Sequence, residues 1–123
     1  MHIVPFAIIY LILDAIWIAS MYTLQYEPMI RRVQGGGAVA FDAYYAIAAY
    51  AVLVWTLYFV CRPLSRTYRY PWLAYTAVGF ALYAVFNLTN AAIFKDYPIR
   101  AVLVDTLWGT TVFSALGWID TRF

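Results

Sequence analysis

Apolar residues dominate the chain in four long runs, broken by short polar segments that fall at 25–38, 62–71 and 95–98. A bilayer's hydrocarbon core is about 30 Å thick, so a crossing helix needs about 20 mostly apolar residues. The runs predict crossings over 5–24, 39–61, 72–94 and 99–118, within one transmembrane domain of residues 1–123. Pro5 suits a helix's first turn. After the first run, "RRVQ" ahead of three glycines reads as a short interfacial helix closed by a flexible turn. The second run is expected to stop where Arg62 and Pro63 begin "RPLSRTYRYP". The connection "KDYP" is so short that the last two helices must be antiparallel neighbours. The expected fold is therefore all-α: an integral membrane four-helix bundle, up and down, with a short interfacial helix after the first crossing.

Composition agrees: 66% of the 123 residues are hydrophobic and 11% charged, whereas soluble domains are about 25% charged. The net charge of +2 is small and its basic residues are scattered, which argues against nucleic acid. Cys61 is the only cysteine and His2 the only histidine. No internal disulfide, cysteine or histidine metal site, cofactor ligand set or Ser-His triad is expected. The first run carries Asp14 and lacks a basic leader, unlike a cleaved signal peptide. Basic residues are equally many on the two sides, Arg62, Arg66, Arg69 and Arg122 against Arg31, Arg32, Lys95 and Arg100. The density of the 62–69 cluster favours cytoplasmic termini in a cell or inner membrane. Tyr22, Tyr26, Tyr68, Tyr70, Trp72, Tyr75, Tyr97 and Trp118 lie near run ends and read as interfacial anchors.

Polar groups inside the runs are the candidate chemistry. A carboxylate at mid-bilayer costs about 2.5–3.5 kcal/mol on insertion scales. Asp14 and Asp105 lie roughly 13 Å and 9 Å from the faces where their helices begin, at 1.5 Å per residue. Asn87 and Asn90 lie about 12 Å and 7.5 Å from the hairpin, level with Asp105. Helical spacing aligns Tyr83 with Asn87 and Asn90, Tyr10 with Asp14, Trp17 and Ile18, and Ala101 with Asp105, Trp108 and Gly109. Thr106, Thr110 and Ser114 form a second small stripe suited to helix packing. Each acid sits in a D-x-x-W unit, "DAIW" and "DTLW", whose Trp can donate its indole N–H or wall the acid off from lipid. Asp42 reads instead as a favourable charge at a helix start.

The segments "LDAIW", "YYAIAAYAVLVWTLYFV", "YAVFNLTNAAIFKDYP" and "VDTLWG" resemble, in this order, a family of small four-helix bacterial membrane proteins. That family is known as a predicted membrane protein of unknown function, so the resemblance implies a fold and a site without an activity. Its third helix usually reads Y-D-L-T-N; here Phe86-Asn87-Leu88-Thr89-Asn90 keeps Thr89 and Asn90 and has an amide for the acid. The resulting candidate polar site is Asp14, Trp17, Tyr83, Asn87, Thr89, Asn90, Asp105 and Trp108, without a catalytic assignment.

Three readings follow. The polar interior moves a proton, a cation or a small polar solute, with Asp14 and Asp105 carrying charge and a homodimer completing the path. Alternatively, the protein is an assembly subunit whose polar core fixes helix packing. The third reading is an intramembrane aspartyl-type enzyme, which lacks the surrounding protease signatures; an enzyme is the less favoured class. Beyond lipid, no partner is specified.

Overall fold

A computed structural model describes residues 2–37 and 42–123. Four helices long and apolar enough to cross a membrane make up the fold: Ile3–Val33, Ala43–Ser65, Trp72–Ile93 and Ile99–Arg122. No strand occurs among the described residues. The protein is a four-helix membrane bundle, and its crossings follow the apolar runs because only helices satisfy every backbone group inside lipid. Val4, Ile8, Ile12 and Ile16 are exposed at every fourth position of the first helix. That stripe is a lipid-facing surface.

Two helices run past the ends expected of them, for a shared reason. The first does not break at the polar segment. It passes through a π-turn at Tyr22–Tyr26 into the short helix Glu27–Val33. The second does not stop at Cys61 but passes through a π-turn at Leu57–Cys61 into Arg62–Ser65. In each case a proline, Pro28 or Pro63, lies just beyond the wide turn. Proline has no N–H for the carbonyl four residues back and its ring collides with it. Opening the preceding turn relieves that collision and keeps the helix continuous. The expected start of the second crossing at Val39 lies outside the described residues. From Asp42 onward the helix start is as anticipated: the Asp42 carboxylate accepts from the backbone N–H groups of Tyr44 and Tyr45.

The third and fourth helices make the most extensive contact. Glycine at three places lets them approach. A side chain at Gly109 would enter the Tyr83 ring, at Gly117 the Tyr75 ring, and at Gly79 the Phe113 side chain. The first helix packs on the fourth and second, and the end of the second packs on the third. The apolar core includes Phe6, Tyr10, Leu57, Cys61, Tyr75 and Phe113, all at the end of the bundle that holds the termini. Asp120 lies at that end too. It accepts two hydrogen bonds from the Arg62 guanidinium, at 3.0 Å from Nε and 2.5 Å from Nη2, and another from the Tyr75 hydroxyl. Tyr75 is fully buried rather than an interfacial anchor. The terminal end is clasped by charge between helices.

Candidate functional site

Toward the hairpin end the helices separate around a cavity of about 1230 Å³. The first helix lines it with Asp14, Ile18, Tyr22 and Tyr26, the second with Ala46, Ala49, Tyr50 and Leu53. The third contributes Leu82, Tyr83, Phe86 and Asn90, and the fourth Asp105 and Trp108. Most of this wall is apolar. Its polar groups gather around the two aspartates.

Asp14 and Asp105 are 6% and 9% exposed, so their oxygens need partners inside the protein. Asp14 accepts from the Tyr50 hydroxyl and, at 2.9 Å, from the Trp108 indole N–H. Asp105 accepts from the Tyr26 hydroxyl at 2.7 Å and from the Asn87 amide at 2.7 Å. Each carboxyl oxygen therefore has a donor, and every donor is neutral. Among the described residues, no Lys or Arg forms an ion pair with either aspartate.

The D-x-x-W units work crosswise. Trp108, one turn beyond Asp105, serves Asp14 on the other helix. Trp17, one turn beyond Asp14, donates at 2.6 Å to Tyr26, which in turn donates to Asp105. The indoles of Trp17 and Trp108 stack with centroids 4.6 Å apart and planes 2° from parallel. Each indole N–H thus goes to a partner other than the Asp one turn away on its own helix.

Asn87 is fully buried and uses its whole amide. Nδ2 donates to Asp105 and, at 2.8 Å, to the backbone carbonyl of Tyr83, while Oδ1 accepts from the Tyr97 hydroxyl at 2.7 Å. Burial pushes the Tyr97 hydroxyl above its ordinary range, so it stays protonated as a donor. Tyr10 and Tyr83 share a 3.1 Å hydroxyl hydrogen bond below this network.

The structure brings Asp14, Trp17, Tyr83, Asn87, Asp105 and Trp108 near one another, and Asn90 lines the cavity. Thr89 does not join them: it is exposed, about 200° round the third helix from Asn87. Tyr26, Tyr50 and Tyr97 join the same hydrogen-bonded group, and sequence reasoning did not single them out for it. Tyr26 and Tyr97 resemble interfacial anchors because they lie near run ends, and Tyr50 is one tyrosine among several in its run.

Tyr26 owes its position to the wide turn. It lies twelve residues after Asp14, which on a regular helix leaves it about 120° round from that face. A turn that absorbs one extra residue takes back about 100°. The second π-turn does the same for Arg62, twelve residues after Tyr50. Tyr50 reaches Asp14, and Arg62 reaches Asp120.

Comparison with curated proteins and with solved structures finds no match. The model of the family described as "Predicted membrane protein (DUF2177)" matches residues 1–121, nearly the whole chain. With four membrane-crossing helices and a match of that extent, the chain belongs to this family of predicted membrane proteins.

Proposed function

We propose that the protein binds an amphipathic small molecule within the membrane, with an apolar body in the cavity and a cationic or hydrogen-bond-donating head at Asp14 and Asp105. A large, mostly apolar pocket with a few convergent polar groups is the usual form of a small-molecule site. The observation that carries the reading is that both acids line this one cavity and are met only by neutral donors. A carboxyl oxygen accepts more than one hydrogen bond, so a ligand's N–H groups still find acceptors there. A cationic head would also offset the cost of holding acids in lipid.

The test uses the protein in phosphatidylcholine nanodiscs with a long-chain alkylamine and the alcohol of equal chain length. The amine is expected to bind about tenfold or more tightly, as charge-assisted hydrogen bonds exceed neutral ones by about 1.4 kcal/mol or more. Asp14→Asn with Asp105→Asn removes that preference. Equal binding of amine and alcohol, or an unchanged preference in the folded double variant, would overturn the reading. Movement of the ligand, a cation or a proton across the bilayer is a further step, read as liposome flux in wild type and Asp105→Asn. For protons, the chain of hydrogen bonds is interrupted by the Asn87 amide and by two indoles, poor relays.

A second reading, a packing subunit, is favoured by one observation: every carboxyl oxygen of Asp14 and Asp105 already has a protein donor. It predicts that neither amine nor alcohol binds in the cavity. Against an aspartyl-type enzyme stands the separate bonding of the carboxyls, since a catalytic pair shares a proton between its two acids.

A further inference from the structure

A second, smaller cavity lies outside the site just described, between the end of the first helix and the start of the fourth. Its volume is about 130 Å³, and its wall includes Leu24, Gln25, Pro28, Arg32, Pro98 and Arg100. One water occupies about 30 Å³ in the liquid, so the space accommodates a phosphate-sized group.

Two independent features mark it. Gln25 is 5% exposed, and neither its Nε2 nor its Oε1 has a hydrogen-bond partner. A buried amide left this way costs free energy that a bound acceptor would recover. Arg32 and Arg100 converge on the same cavity, yet neither forms an ion pair among the described residues. The neighbouring Arg31 differs, pairing with Glu27 at 3.0 Å. Two guanidinium groups around one opening form a donor set without an acceptor, and the unpartnered Gln25 amide lies buried beside them. Their place, at the hairpin-side ends of two membrane helices, is the depth of lipid headgroups.

We infer that Arg32, Arg100 and Gln25 form a binding site for a phosphate-class anion, carried either by a lipid headgroup or by free phosphate. Arginine's planar fork suits phosphate oxygens, and a rotation of the buried, unpartnered Gln25 side chain toward the opening would add a further N–H. The first π-turn contributes as well: Gln25 lies within Tyr22–Tyr26, so the turn that sends Tyr26 to Asp105 also sets the Gln25 side chain.

The experiment measures retained lipid by native mass spectrometry, and thermal stability, for the whole protein in phosphatidylcholine nanodiscs with and without phosphatidylglycerol. Inorganic phosphate in lipid-neutral discs is the parallel arm. Phosphatidylglycerol should bind and stabilise the wild type, and affinity should fall roughly fivefold for each arginine lost in Arg32→Gln and Arg100→Gln. Stabilisation by inorganic phosphate alone would identify the free ion as the source, and response only to phosphatidylglycerol the headgroup; either result supports the site. Gln25→Glu covers the case in which arginine variants fold poorly. Its carboxylate would pair the two arginines internally, raising stability without lipid and removing the response to both anions. The inference is overturned if the double arginine variant responds like wild type. It is equally overturned if Arg66→Gln with Arg69→Gln, on the opposite side, loses as much binding, or if neither anion acts.

Discussion

Asn87 shows how much a single buried side chain decides. Its amide is a donor to Asp105 and to the Tyr83 carbonyl and an acceptor for Tyr97, so three helix or loop segments meet at one group. An acid at this position would bring a second carboxyl to hydrogen-bonding distance of Asp105, which is 2.7 Å here. Two carboxylates so close cannot both ionise, so one would hold its proton in the folded protein. Asn87→Asp is therefore expected to create a pH dependence. A carboxyl whose folded pKa is raised contributes stability below its unfolded value and loses it as pH rises through the folded one. Unfolding followed in detergent from acid to neutral pH should show the variant weakening as pH rises, relative to wild type. An unchanged difference across that range would contradict the pairing.

The same scale explains the crossed tryptophans. Spacing within one helix says that a Trp lies one turn from an Asp. It says nothing of whether the indole N–H points to that Asp or to a neighbour's.

At the scale of the element, the two π-turns matter most. Both follow from a proline just beyond them, and both restore the facing of a polar residue twelve positions after another one. Pro28→Ala supplies the missing N–H to the Leu24 carbonyl and lets the turn close as an ordinary helix. That closure would rotate Tyr26 away from Asp105. In the wild type, Tyr26→Phe should cost about 1 kcal/mol, within the range for a hydrogen bond inside a membrane protein. On the Pro28→Ala background the same change should cost close to nothing, a coupling that a double-mutant cycle measures. Equal costs on both backgrounds would show that the proline does not set the turn.

For the whole molecule, the contrast is between a closed end and an open one. Around Asp120 the Arg62 guanidinium and Tyr75 hydroxyl tie the second, third and fourth helices together, with the aromatic core beside them. Toward the hairpin the second and third helices diverge around the cavity. Removing one member of a buried ion pair is costly because the other is left uncompensated. Asp120→Ala should therefore lower unfolding stability by about 3 kcal/mol, measured against denaturant in detergent. Replacing both partners, Arg62→Met with Asp120→Leu, should recover most of that loss. Loss of amine binding in the folded double variant would show that the two ends are not independent.

What the residues alone determine is whatever depends on local order. The lengths of the apolar runs decide the four crossings, because lipid admits few other backbones. The three-to-four-residue repeat places Asp14, Asn87 and Asp105 on inward stripes, and the short "KDYP" connection brings the last two to one height. Tertiary structure alone decides which donor meets which acid. The partnerships of Tyr26, Tyr50, Trp108 and Arg62 depend on how far each helix is rotated, and two wide turns reset that rotation mid-helix. The cavity, too, exists only where packed helices part. Neither a rotation nor a gap between helices is written in the spacing of any one of them, because both arise from contacts between segments far apart in the chain.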